Sequence, residues 1–241
     1  MIQNRPKTFV LVHGAWHGAW CYARVEDILI RNGHRVHTPT LSGVGERSHL
    51  RGGKVNLSTH VQDVANLIRY RDLSDIVLVG HSYAGMVVTA VADQLAERIA
   101  SLVYLDAFLP QDAQCLHDLA PPAHVEAQVQ SATEANGYTV TPITAAAFNV
   151  NEADRAWVDR LCTPQPLATF TERIKLTGRI DSVPRKTYVL ATRNHPGIGF
   201  ERFRDAVAGN ARWQTRELAC GHDVMIDLPQ ETAAILMAAA T

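Results

Sequence analysis

One serine in this chain stands where a serine can act as a nucleophile. The run Ile76–Val79 is wholly apolar, as a strand buried on both faces must be. It leads straight into Gly80-His81-Ser82-Tyr83-Ala84-Gly85, and a helical pattern, Gly85–Leu95, follows. A serine at a sharp strand–turn–helix corner presents its Oγ at the end of the strand, and so tight a turn needs small residues two positions to either side. Gly80 meets that need before Ser82. Ala84 stands after it, one methyl larger than glycine, with Gly85 next. A serine hydroxyl also needs a base to take its proton. Of the eleven histidines, His222 is the candidate, because Cys220-Gly221-His222-Asp223 follows a strand-like run and precedes a final helix. A loop at the carboxyl end of a strand can carry an imidazole to Ser82.

These side chains need a frame, and the pattern along the chain supplies one. Strand-like runs are Thr8–Val12, Arg35–Thr38, Ile76–Val79, Leu102–Leu105, Thr187–Ala191 and Trp213–Leu218. Helical spacing separates them over Trp20–Arg31, from about Ser58 (a candidate cap) to Tyr70, over Gly85–Leu95 and over Gln230–Ala240. Alternation of this kind predicts an α/β fold: a mostly parallel sheet flanked by helices, in one domain over 1–241. The stretch Leu41–Asn56 reads as a long loop. Residues of about 108–181 carry prolines and alanine-rich helical segments and no strand pattern. They read as a helical cap inserted over the carboxyl ends of the strands, where open α/β sheets bind ligands.

Bulk properties exclude several classes. Residues are 46% hydrophobic and 20% charged, as in a globular enzyme, and 23 basic residues balance 24 acidic ones. No Lys/Arg block exists to hold nucleic acid. The longest apolar stretch, Ala233–Ala240, is less than half a membrane span, and no signal-peptide pattern precedes Thr8, so a cytoplasmic protein is expected. The four cysteines, Cys21, Cys115, Cys162 and Cys220, have neither C-x-x-C nor zinc-ligand spacing and read as free thiols. No metal and no cofactor are expected.

Five stretches together resemble one family: Phe9–Trp20 (FVLVHGAWHGAW), Pro39–Arg47 (PTLSGVGER), Val79–Met86 (VGHSYAGM), Val103–Pro110 (VYLDAFLP) and Gly221–Asp227 (GHDVMID). The chain resembles the small α/β-hydrolase branch that includes plant methylesterases, hydroxynitrile lyases and bacterial esterases of the pyrethroid and carbendazim type. The resemblance implies an α/β-hydrolase fold and a cofactor-free serine hydrolase whose Ser–acid–His site lies under a helical cap. It also implies an oxyanion hole built from two backbone N–H groups, those of Ala15, after His13-Gly14, and of Tyr83, after the nucleophile. Lyases of this branch carry a threonine after the first strand and a lysine after the histidine. Here those places hold Gly14 and Asp223, which favours hydrolysis of a small, neutral, largely apolar ester, carbamate or lactone. A lyase-like enzyme and a hydrolase-fold small-molecule receptor are the alternatives.

The third member of the site must be a carboxylate that accepts the second imidazole N–H. Asn194 stands near the place where the branch puts its acid, but an amide carries no charge. Asp181 precedes its strand. Asp223 adjoins His222, and sequence neighbours rarely reach the required geometry. Asp106 directly follows Leu102–Leu105, the strand after that of Ser82, and is the expected acid. Gly14, Trp16, His17, Phe108, Phe148 and Trp157 are the candidates for contact with substrate. The oligomeric state is open, a homodimer included.

Overall fold

The structure, a computed structural model, describes residues 5–52, 54–193 and 197–241. The chain begins with β1 (Thr8–Val12), α1 (Ala23–Arg31), β2 (Arg35–His37) and α2 (Leu57–Tyr70). Next come β3 (Ile76–His81), α3 (Ala84–Gln94) and β4 (Ile99–Leu105). A long excursion holds α4 (Leu116–Leu119), α5 (Pro122–Ala135), β5 (Thr139–Val140), α6 (Glu152–Leu161), β6 (Gln165–Pro166) and α7 (Ala168–Thr171). The chain then returns through β7 (Lys186–Ala191), α8 (Glu201–Val207), β8 (Trp213–Leu218), α9 (Val224–Asp227) and α10 (Pro229–Ala239).

Six strands form one sheet in the order β2-β1-β3-β4-β7-β8, and every pairing in it is parallel. The strands of the centre are buried along their whole length: all of β1, β3 and β7 and nearly all of β4. That is what an apolar, non-alternating strand requires, with helices covering both faces. The strand order turns back between β1 and β3. At such a switch point the loops that leave the carboxyl ends diverge and leave a crevice.

Local structure departs from the sequence pattern at several points, each with a physical reason. β3 runs past Val79 through Gly80 and His81, because its ladder with β4 continues to Gly80↔Tyr104 and His81↔Leu105. The cap of α2 is Asn56, not Ser58. The Asn56 side chain accepts the Thr59 N–H at 3.0 Å, and Thr59 closes a reciprocal box. Ser58 lies inside the first turn, and its N–H and hydroxyl both go to Glu172, at 2.7 and 2.6 Å. The loop after β2 holds a 3₁₀ turn over Gly45–Leu50. The excursion is not strand-free: β5 and β6 pair antiparallel, Thr139↔Pro166 and Val140↔Gln165. Two residues are too few to show alternation in sequence.

The tightest backbone approach in this frame lies behind α3. A Cβ built on Gly85 would stand 1.9 Å from the Phe108 carbonyl oxygen, and one on Gly80 2.6 Å from Val88 Cγ2. Backbone cannot yield as a side chain can. Gly85→Ala should therefore cost about 3 kcal/mol, the upper range for overpacking, or prevent folding. Gly52→Ala, with nothing within 4 Å of its Cβ, should stay within about 0.5 kcal/mol of the parent in urea unfolding. Equal midpoints for the two variants would contradict this.

Candidate active site

Ser82 lies between β3 and α3 with φ +54°, a left-handed conformation that costs a serine roughly 1–2 kcal/mol. Surrounding hydrogen bonds hold it there. Its N–H donates to the Leu105 carbonyl at 3.2 Å, and its own carbonyl accepts from Gly85 and Phe108, at 3.0 and 3.1 Å. The same close packing sets Gly14: a Cβ there would stand 2.8 Å from His81 Nδ1 and 3.0 Å from Ser82 Cβ. Gly14 thus backs the serine turn and does not line the cavity in front of it.

Asp106 follows β4 at once, also left-handed at φ +43°. Its N–H donates to Val189 at 2.7 Å, and its Oδ1 accepts the Ala191 N–H at 3.1 Å, so β7 aims the carboxylate. Oδ2 accepts from His222 Nδ1 at 2.7 Å, with both side chains buried. An ionised carboxylate there keeps the proton on Nδ1 and leaves the Nε2 lone pair as the basic site of the neutral ring. The imidazole is clamped by Phe200, stacked at 5.2 Å, and by Phe148 at 5.2 Å. The His222 N–H donates to the Phe148 carbonyl at 2.9 Å, and a Cβ on Gly221 would reach within 2.2 Å of the Asn149 carbonyl. Asn194 lies outside the described residues.

The loop after β1 faces the same corner. Among the described residues no hydrogen bond engages the N–H of Ala15 or of Tyr83. Trp16 differs. Its N–H donates to Gln165 Oε1 at 3.1 Å, its carbonyl accepts from Thr163 at 2.8 Å, and its indole N–H donates to the Val140 carbonyl at 3.1 Å. Trp16 is therefore one point where the excursion between β4 and β7 is fastened to the sheet. His17 turns behind the loop, with Nδ1 on the Ala15 carbonyl at 2.8 Å and Nε2 on Asp223 at 3.2 Å.

A narrow cavity of about 20 Å³ opens beside Ser82, room for about one water. Trp16, Phe108 and Phe148 line it, together with Leu116 and Phe170, and α5 adds His124 and Gln128 as its polar groups. Trp157 stands elsewhere, edge-on to Trp20 at 5.0 Å with the Arg24 guanidinium over its ring at 5.3 Å. Sequence reasoning passed over Gln165 and Phe170, because side chains on such short segments carry no periodic signal, and over His124 and Gln128, because polar residues on a helix give no sign of the cavity they face. Among the described residues no group of three or more His, Cys, Asp or Glu is arranged to hold a metal ion. No helix there is long and apolar enough to cross a membrane.

Three further histidines sit buried around the corner; the bonds of His13 and His60 mark those two rings as neutral, and burial does so for His81. His13 Nδ1 donates to the Gly14 carbonyl while Nε2 accepts the Leu41 N–H. His60 Nε2 donates to the Ser42 carbonyl while Nδ1 accepts the Tyr83 hydroxyl. His81 Nε2 donates to the His222 carbonyl at 3.0 Å. Burial lowers all three from the ordinary 6.5: His13 to about 3, His60 to about 4 and His81 well below.

A parallel sheet in this order, with a serine at the corner between its third strand and the next helix, defines an alpha/beta hydrolase. The chain belongs to that family, described as the Alpha/beta hydrolase family, whose pattern matches residues 9–235. It is similar to the carbendazim hydrolyzing esterase of Nocardioides sp. (strain SG-4G), 46% identical over 238 residues, which covers 95% of this chain and 98% of that one. Methylesterase 2 of Arabidopsis thaliana is 30% identical over 119 residues, 45% of this chain and 42% of that one. Among solved structures, an extracellular alpha/beta-hydrolase from a Paenibacillus species superposes with a TM-score of 0.85 at 26% identity, covering 97% of this chain and 99% of that one. A pyrethroid hydrolase from Sphingobium faniae JZ-2, covering 97% of both chains, shares the fold at a TM-score of 0.75 and 19% identity.

The three neutral rings set an acid limit on stability. Below pH 6.5 each takes up a proton when the chain unfolds but resists it while folded, so unfolding binds protons and stability falls as pH falls. The loss should be on the order of 1 kcal/mol per pH unit for each ring, down to the folded value of that ring. Urea midpoints should decline steadily between about pH 7 and pH 4.5; a flat series would contradict the assignment of these rings as neutral.

Proposed function

We propose that the chain hydrolyses small, neutral, largely apolar carboxylic esters, with carbamates and lactones as chemical relatives, through an acyl-enzyme on Ser82. The observation that carries this reading is the buried 2.7 Å bond from His222 Nδ1 to Asp106, on loops that leave the same sheet edge as the strained Ser82 turn. His222 Nε2 takes the Ser82 Oγ proton as Oγ attacks the acyl carbon, and Asp106 stabilises the imidazolium that forms. The N–H groups of Ala15 and Tyr83 receive the oxyanion; a donor of this kind is worth roughly 3–4 kcal/mol of barrier. The proton passes to the leaving alcohol, and water activated by the same imidazole releases the acid. Trp16 cannot add a third donor, since Gln165 already holds its N–H.

The excursion over about 108–181 acts as the cap of this single domain. It supplies most of the apolar wall, which favours substrates that are apolar around the scissile group. With room for one water, the cap side must give way before substrate enters. The esterase names of the relatives agree with this reading. Two contacts weigh against a lyase. The place of the lyases' threonine is Gly14, where a Cβ would collide with His81, and the place of their lysine is Asp223, which bonds to His17. A receptor in this fold would bind but not turn over its ligand.

Ser82→Ala should abolish turnover of p-nitrophenyl acetate, and labelling by a phosphonate probe, while the protein stays folded. Asp106→Asn should lower kcat on the order of 10³–10⁴-fold, as loss of triad charge does. Comparable turnover in either variant would overturn the corresponding role. In a panel of aliphatic, benzylic, pyrethroid and carbamate esters, neutral apolar members should be preferred over phosphorylated or polyanionic ones, without any divalent metal. The reverse order would contradict the pocket assignment.

A further inference from the structure

His17 is buried, and both of its ring nitrogens face acceptors. Nδ1 lies 2.8 Å from the Ala15 carbonyl and Nε2 3.2 Å from Asp223 Oδ2. The carbonyl can only accept. With Asp223 ionised, satisfying both contacts takes a proton on each nitrogen, which makes the ring an imidazolium. The neutral rings nearby are bound differently: His13 and His60 each pair one donor contact with one acceptor contact.

The pair joins two loops. Asp223 follows His222, and the Ala15 carbonyl belongs to the peptide next to the Ala15 N–H. That peptide is held at both polar ends, its carbonyl by His17 and its N–H by Gln165, with Trp16 at φ +66°. We infer that His17 is a positioning residue: as a buried cation paired with Asp223, it ties the loop carrying the Ala15 N–H to the loop carrying His222. The inference rests on the roles given above to Ala15 and His222.

The surroundings favour the ion pair. Facing His17 are Asp223 from the loop after β8, His81 from β3 with its ring 6.2 Å away, and His13 from the end of β1. Cys162 after α6, Cys21 before α1 and the stacked Trp20 ring complete the shell. Asp223 is the one carboxylate among these. Burial alone would lower the His17 ring, but the Asp223 charge, then Cys162 and the hydrogen bonds, hold it well above 6.5. Burial alone would raise the Asp223 carboxyl, but the His17 charge and its hydrogen bond hold it well below the usual carboxylate range.

The test begins with ¹⁵N-labelled full-length protein, reading the His17 ring by nitrogen–proton correlation and assigning it with His17→Gln. Both nitrogens should be protonated at neutral pH; a singly protonated ring there overturns the inference. Asp223→Asn keeps the size and one acceptor but removes the charge. It should lower kcat for p-nitrophenyl acetate about 10–100-fold, the scale of a misplacement of about 1 Å, with KM little changed. It should also add an alkaline fall in kcat as His17 loses its proton. His17→Gln should lose kcat without that limb. Should either buried-pair variant not fold, Gln165→Ala releases the same peptide from its other end and should lower kcat alone. Wild-type kcat and pH profile in the folded variants overturn the inference. Phosphonate labelling of Ser82 in the parent separates this outcome from failure of the hydrolase reading: absent labelling sinks that reading, whatever the state of His17.

Discussion

The corner at Ser82 depends on backbone coming closer to its neighbours than any Cβ permits. β3, the first turn of α3 and the chain leaving β4 meet around one residue, and glycines mark the contacts: Gly80 against Val88, Gly85 against the Phe108 carbonyl, Gly14 against His81 and Ser82. A hydrogen bond to the Leu105 carbonyl and two from the Gly85 and Phe108 N–H groups then hold a serine in a left-handed conformation it would not choose. The familiar small-residue position after the serine is Ala84 here, and it is tolerated because the closest approach falls one residue later, at Gly85. Much of the remaining geometry follows from this contact. With β3 and β4 drawn together, Asp106 emerges one strand away from Ser82, and β7 aims its carboxylate at His222.

A second constraint is electrostatic. The corner buries five histidine rings, His13, His17, His60, His81 and His222, in a region with little water. A buried charge is tolerated only when it is paired, so most of these rings must be neutral. For three of them the hydrogen-bond partners decide which: His13 and His60, each with one carbonyl and one donor beside the ring, are neutral, and His17, between a carbonyl and a carboxylate, is charged. Two carboxylates serve two rings, Asp106 the His222 ring and Asp223 the His17 ring. That division explains why Asp223, though adjacent to His222 in sequence, does not serve the His222 ring.

The excursion between β4 and β7 is held by specific polar contacts as well as by apolar side chains that join the core. Trp16 alone gives it three hydrogen bonds, and Glu172 reaches across to Ser58. Its short elements leave apolar side chains over the serine, and α5 contributes polar groups at positions 124 and 128, one helical turn apart. The surface that would meet a substrate is thus drawn from the least regular third of the chain, attached to its most regular part.

The sequence by itself determined the sheet, the serine corner and the histidine loop. A short all-apolar run such as Ile76–Val79, closed by a turn at Gly80, suits a strand buried on both faces, and Gly80 with Ser82 has few uses, since local sterics act within a handful of residues. Asp106 was legible too, because chain order places its strand next to that of Ser82. Only the tertiary structure decided what long-range contacts decide. Asn56 caps α2 through its box with Thr59, while Glu172, more than a hundred residues away, takes the Ser58 N–H and hydroxyl. Trp157 packs on Trp20 and Arg24 instead of the cavity, while Phe108 and Phe148 reach it. His17, indistinct among eleven histidines in sequence, is singled out by its two acceptors, one local and one 206 residues distant. Propensity and spacing read neighbours along the chain; the charge state of a buried ring is set by neighbours across it.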